Sequence, residues 1–256
     1  MTPEHAKLDY VLRLADNGLV LAQRLSEWVG HGPILEEDIA MTNVGLDLLG
    51  QSRLWFAYAQ DLEAVVAGVG RSEDQFAFLR DAREFRNLLL VEQPNGSYAD
   101  TMARQFLFDQ WHLLGLRALS GSSDARIAEI AAKAVKEVTY HVERSADWVV
   151  RLGDGTQESH DRIQTAIDDL WTYTGEMFAA DDVETALIGD GTAADAGALR
   201  PSWNRAVDAV LAEATLRRPD DAFERTGGKQ GLHGEDFGRL LAQMQFLQRA
   251  YPGATW

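Results

Sequence analysis

Apolar residues recur along this chain at three- and four-residue intervals almost from end to end, the signature of successive helices with one face each turned inward. The pattern predicts a first helix over residues 4–28, its inner row running through Leu12, Asp16, Leu19 and Gln23 or through Leu12, Ala15, Leu19 and Ala22. Gly30-His31-Gly32-Pro33 stops it. A long second helix spans residues 36–66, with Ala40, Val44, Asp47, Gln51, Leu54, Tyr58, Leu62 and Val65 in one row and glycines at 68 and 70 ending it. A shorter helix fits residues 72–86, with Phe76, Leu79 and Phe85 facing inward. Residues 87–97 read as a partly buried connection closing in a turn at Pro94-Asn95-Gly96. A short strand fits that apolar run, but no other stretch offers the alternation to pair with it.

Residues 101–152 form the stretch around which the rest is organised, two helices joined as a hairpin at Gly121-Ser122-Ser123-Asp124. The first carries Met102, Phe106, Asp109, Leu113 and Leu116 at helical spacing, so an acid sits inside an apolar stripe. The second carries Ile127, Ala131, Ala134, Val138, Val142, Ser145, Val149 and Leu152, with His141 at the margin. Further helices are predicted over residues 157–178 (Ile163, Ile167, Leu170, Thr174 and Met177 inward) and 181–187. Another opens at Pro201-Ser202 with Val207, Val210, Leu211 and Leu216, and the last covers residues 235–251 with Phe237, Leu240, Leu241, Met244, Leu247 and Tyr251. Residues 189–198 and 218–234 are low in apolar content and read as loops, the second exposed. Trp28, Trp55, Trp111, Trp148, Trp171 and Trp203 fall on helices, where packing explains them. With no linker-like composition anywhere, residues 1–256 are expected to form a single all-α domain.

Composition narrows the function. With 24 basic against 40 acidic residues the formal charge is −16, which argues against nucleic acid and against an anionic membrane as partners. The absence of cysteine excludes disulfides, iron-sulfur clusters and thiolate zinc sites. The N-terminus lacks the apolar run of a signal peptide and no later stretch is long enough to span a bilayer, so the cytoplasm is the expected compartment.

The acids in the stripes carry the chemistry. A buried carboxylate or imidazole costs several kcal/mol unless a metal, a counter-charge or hydrogen bonds compensate it. One such arrangement is a carboxylate-bridged di-metal centre, built from one acid on each of two helices and Glu-x-x-His on each of two others. Asp16 and Asp47 lie 31 residues apart and Asp109 and Val138 lie 29 apart, so the two hairpins share a similar internal spacing. Yet Asp47 is followed three residues later by Gly50, and Val138, followed by His141, stands where an acid is required. Asp is also one methylene shorter than Glu, and four ligands are too few for two hard ions. The plainer reading makes each Asp a buried partner for an arginine, histidine or backbone amide. His141 has Glu137 and Arg144 within one turn, and Asp109 has His112. The Gly227-Gly228-Lys229-Gln230-Gly231 loop lacks the spacing of a phosphate-binding loop.

Several strings are specific: Leu46-Asp47-Leu48-Leu49-Gly50-Gln51, NLLLVEQPNG over residues 87–96, Asp109-Gln110-Trp111-His112, and Arg225-Thr226-Gly227-Gly228-Lys229. With them the chain resembles, over nearly its whole length, the C subunits of bacterial phenylacetyl-CoA epoxidases, the ring-1,2-epoxidases of phenylacetate degradation. The resemblance implies a ferritin-like four-helix-bundle core with additional C-terminal helices. It also implies a non-catalytic subunit that pairs with a homologous A subunit, which holds the di-iron centre and binds the acyl-CoA. A small bridging B subunit and an iron-sulfur flavoprotein reductase complete that complex. On this reading the chain carries no cofactor, and Asp16, Asp47, Asp109 and His141 are a vestigial centre with Gly50 and Val138 at lost ligand positions. The competing reading is a di-iron oxygenase liganded by Asp47, Asp109, His112, Glu137 and His141. The sequence leaves open whether the loop over residues 225–231 approaches CoA.

Overall fold

The computed structural model describes residues 2–220 and 223–254, and among them the chain is all-α, in keeping with a ferritin-like helical bundle. The helices are α1 (Pro3–Ser26), α2 (Leu35–Ala67), α3 (Glu73–Phe78), α4 (Tyr98–Leu119), α5 (Ala125–Gly153), α6 (Gln157–Trp171), α7 (Asp182–Ile188), α8 (Ala196–Glu213) and α9 (Phe237–Ala250). The apolar run after Phe85 forms no strand; residues 87–92 are a buried irregular strap. The described residues divide into two compact units. One comprises the chain up to Gln93 together with the stretch from Gly227 onward, and the other is Pro94–Thr226.

In the first unit α1 and α2 form an antiparallel hairpin, and α9 packs back on α1 and α3. Thr2 caps α1 by accepting the His5 amide, and Gly68, at φ +82°, ends α2 in the left-handed conformation that glycine tolerates best. The two hairpin helices approach closely at Gly18, where a β-carbon would fall 2.4 Å from Ser52 Oγ and 3.1 Å from the Leu48 carbonyl. Ser52 Oγ donates to the Ala15 carbonyl at 2.9 Å and fixes the level at which the helices meet. Gly18→Ala is therefore expected to lower unfolding free energy by about 1–3 kcal/mol through overpacking, as read from chemical denaturation.

In the second unit α4 is the central element, touching α5, α6 and α8. Asp124 caps α5 through the Arg126 and Ile127 amides. Trp203 of α8 is buried, stacks near Trp171 at 5.5 Å and donates its indole N–H to the Leu107 carbonyl at 3.1 Å. The predicted inner rows of α4 and α6 are buried throughout, Thr174 and Met177 included. The helix over 157–178 nevertheless breaks: α6 ends at Trp171, i−3 backbone bonds tighten the chain, and a 3₁₀ turn holds Gly175–Met177. Helix α8 starts before the expected Pro201, because Asp195 caps the Ala198 amide and Pro201 is accommodated in the second turn.

Other expectations need correction. The stretch 72–86 is α3 followed by a 3₁₀ turn, and Leu79 is exposed while Phe76 and Phe85 are fully buried. On α9, Leu247 and Tyr251 face outward. The stretch 218–234 is not simply an exposed loop, since Gly227, Gly228, Lys229 and Gly231 are buried; residues 221 and 222 lie outside the described residues. A β-carbon on Gly228 would fall 2.2 Å from the Asn87 carbonyl oxygen, so the glycine there permits the loop backbone to lie directly on the strap.

Candidate functional site

The first unit places Asp16 at the centre of α1 with no solvent exposure. Arg80, itself buried, sets its guanidinium against both carboxylate oxygens, with Nη1 3.0 Å from Oδ2 and Nη2 on Oδ1. The Arg86 amide donates to Oδ2 at 2.8 Å. The neighbouring Asn17 accepts the Leu88 amide at 2.8 Å, and Arg24 donates to the Glu92 carbonyl at 3.0 and 2.6 Å. The buried polar face of α1 thus grips the strap, residue by residue.

On α2 the predicted row holds at Val44, Gln51 and Tyr58, which are buried, but fails at Asp47 and Val65. The buried residues are Met41, Val44, Gly45, Leu48, Gln51, Ser52, Trp55, Phe56, Tyr58 and Ala59. Asp47 is only half-buried, Gly50 is exposed with open space around it, and Val65 is exposed. The inward i, i+3 pair is therefore Leu48 and Gln51, in place of Asp47 and Gly50. The buried face is wider than one row, with Leu48, Ser52, Trp55 and Ala59 beside Val44, Gln51 and Tyr58, and a seven-residue repeat drifts about 20° per heptad on a 3.6-residue helix, which carries Val65 outward.

The second unit keeps more of the expected polar set. Asp109, Val138 and His141 are all buried. Gln105 Nε2 donates weakly to Asp109 Oδ1 at 3.4 Å, and the buried Ser145 hydroxyl, which donates to the Val142 carbonyl at 3.4 Å, lies near enough to act on the carboxylate. Burial pushes the Asp109 carboxyl up to about 6, while the charge of His141 and the polar side chains of Ser145 and Gln105 pull the other way. Burial holds the half-buried His112 down at about 3, and His141 beside it acts in the same direction. His112 Nδ1 and Gln105 Oε1 are shut from solvent with no hydrogen-bond partner. Glu137 is half-buried, off the row that passes through Val138 and His141.

The donor set does not fit a pair of iron ions. The two i, i+3 positions that should read Glu and His hold Leu48 with Gln51 and Val138 with His141, so two acids are replaced by aliphatic side chains and one imidazole by an amide. The Asp16 oxygens are taken up by Arg80 and the Arg86 amide. Among the described residues no group of three or more His, Asp or Glu side chains is arranged to hold a metal ion. Leu48, Gln51, Arg80, Gln105 and Ser145 were not singled out as site residues from the sequence. Reading the second hairpin's Val138-x-x-His141 back onto the first, one residue past Asp47, would have found Leu48 and Gln51.

One surface feature stands out. Leu35, Ile39, Leu46 and Leu49 lie on one face of α2 and are all exposed, Leu35 at 72% and Leu46 at 59%, with Val29 and Ile34 just ahead of the helix also exposed. Large apolar side chains grouped in this way on a protein surface are the pattern typical of interaction faces. Among the described residues no helix is long and apolar enough to cross a membrane.

The chain matches a family model described as phenylacetic acid catabolic protein over residues 2–256. It is 52% identical over 247 residues to the C subunit of the 1,2-phenylacetyl-CoA epoxidase of Escherichia coli (strain K12), an alignment covering 96% of this chain and 98% of that protein. The match over nearly the whole chain and the end-to-end similarity to that relative lead to one assignment: the chain belongs to the phenylacetic acid catabolic protein family.

Proposed function

We propose that this chain is the non-catalytic, structural subunit of a multicomponent phenylacetyl-CoA 1,2-epoxidase of aerobic phenylacetate catabolism, pairing with and stabilising a homologous di-iron catalytic subunit. The observation that carries the reading is the occupancy of the two bridging-acid positions by Leu48 and Val138, neither of which offers a lone pair to a metal. Similarity to the C subunit of an epoxidase acting on phenylacetyl-CoA supports the pathway. The exposed stripe of α2 supports the pairing: four large aliphatic side chains on one helix face, each already part-covered, gain on the order of 1 kcal/mol each when covered fully. The formal charge of −16 makes a second copy of the same chain a poor cover, since like charges repel on approach. A homologous catalytic subunit is the cover we favour, with the iron, the acyl-CoA site and the contacts to a small bridging subunit and a reductase residing mainly outside this chain.

Elemental analysis of the purified chain, alone and co-expressed with the catalytic subunit, tests this. Iron at background in the isolated chain and about two ions per pair is the expected result, and two ions in the isolated chain would overturn it. The variant Leu46→Arg/Leu49→Arg is expected to weaken pairing by on the order of 100-fold or more while leaving the unfolding midpoint of the isolated chain near that of the unsubstituted protein.

A further inference from the structure

Asp16 poses a physical question that the missing ligands do not answer: what neutralises a carboxylate with no solvent exposure in the middle of α1. The answer comes from 64 residues away in sequence, just beyond α3. Arg80 meets Asp16 fork to fork through Nη1 and Nη2, the geometry in which arginine holds a carboxylate most firmly. Two of its three remaining donors are used as well, Nε on the Phe76 carbonyl at 2.6 Å and Nη1 on the Glu84 carbonyl at 3.1 Å. Three aromatic rings surround the guanidinium, Phe85 at 4.2 Å, Phe56 at 5.5 Å and Phe76 at 5.8 Å. Helix α9 in turn holds the Arg80 carbonyl through Gln245 Nε2 at 3.0 Å and Arg249 Nη2 at 2.8 Å.

We propose that Arg80 is the resident cation of the first hairpin: a guanidinium built into the chain supplies to Asp16 the positive charge that a metal supplies to the corresponding acid of a metal-binding hairpin. This rests on the subunit reading above and adds to it. An acid whose metal partners have been lost would destabilise the helix carrying it; here it is retained because it fixes Arg80, and through Arg80 and the Arg86 amide it fixes α3, the strap and α9. A lysine would not serve, having neither the planar fork nor the flat faces that the three rings cover.

A double-substitution cycle on the full chain tests the proposal, with Asp16→Asn, Arg80→Met and the pair together compared by thermal unfolding in chelator and in manganese(II). Arg80→Met alone is expected to lower the midpoint by on the order of 10 °C, because it strands a buried charge. The doubly substituted chain should regain at least half of that loss, and Arg80→Lys should not. A double variant no more stable than Arg80→Met would overturn the proposal, and if Arg80→Met fails to fold, recovery of a soluble chain on adding Asp16→Asn reports the same coupling. A metal-induced rise in the midpoint that disappears with Asp16→Asn would make Asp16 a ligand and also overturn it. A rise that survives Asp16→Asn would count against the subunit reading alone and leave Arg80 as the partner of Asp16.

Discussion

Glu92→Ala is expected to lower unfolding free energy by about 3–5 kcal/mol, the cost typical of removing one partner from a buried charged cluster. The Glu92 carboxylate is buried at the end of the strap, where Oε2 accepts from Asn87 Nδ2 at 3.0 Å and faces His233 Nδ1 at 2.7 Å, and Oε1 accepts the Gly234 amide at 2.6 Å. The second ring nitrogen of His233 faces the Phe85 carbonyl at 3.2 Å, and the ring stacks on Phe237 at 4.1 Å. Removing the carboxylate takes the acceptor from three donors together, the buried Asn87 Nδ2, the ring of His233 and the Gly234 amide, and two of them lie at the entry to α9. The loss should therefore be accompanied by faster amide exchange across residues 227–250 than in the α1–α2 hairpin. Glu92→Gln, which keeps the shape and one acceptor, should fall between. A loss below 1 kcal/mol in chemical denaturation, or exchange unchanged in the last helix, would show that this cluster does not fasten α9.

The second large effect is a divergence between two variants with pH. His112 stays neutral in the folded protein until about pH 3 but takes up a proton near 6.5 when exposed, so between those values the unfolded chain binds more protons and stability is lost as the pH falls. Asp109 does the reverse. Its folded form keeps a proton up to about pH 6 against 3.8 for the free group, so the folded chain binds more protons in that window and stability is gained as the pH falls through it. Relative to the unsubstituted chain, His112→Gln should thus improve by about 2 kcal/mol between pH 7.5 and 4.5, and Asp109→Asn should worsen by about 2 kcal/mol over the same range. Those magnitudes allow for partial solvent access at His112. Parallel pH profiles for the two variants would refute the assignment of these shifts to burial.

The long helices, their hairpin pairing and the inner rows of α4 and α6 could be read from periodicity; α6 alternates buried and solvated sides, and α4, although buried all round over residues 101–110, keeps its predicted row buried beyond that stretch at Leu113 and Leu116. Helix α2 could not be placed to the residue. With Leu46 and Leu49 exposed and Leu48 buried on the same turn, the apolar pattern has no single face, and the predicted row took in the half-buried Asp47 where Leu48 faces inward. Asp16 was legible as a buried acid needing a partner, but Arg80 was not legible as that partner, since a contact across 64 residues leaves no periodic trace. The same holds for His233 and Glu92, 141 residues apart. The glycine-rich stretch 227–231 looked solvated for want of apolar side chains. In fact its glycines serve close backbone packing, which composition reads as looseness.

The unit that contains the α1–α2 hairpin is discontinuous, and that sets an order of events at the ribosome. Its first 93 residues emerge early, yet Lys229, His233, Gln245 and Arg249, which complete it, emerge only after the whole of Pro94–Thr226. The inserted unit is contiguous and can fold as it leaves the exit tunnel, while the earlier unit waits with the strap and the α3 region incompletely covered. A nascent chain arrested before residue 227 would therefore carry a finished second unit and an unfinished first one, open to chaperones until the last turns of α9 arrive.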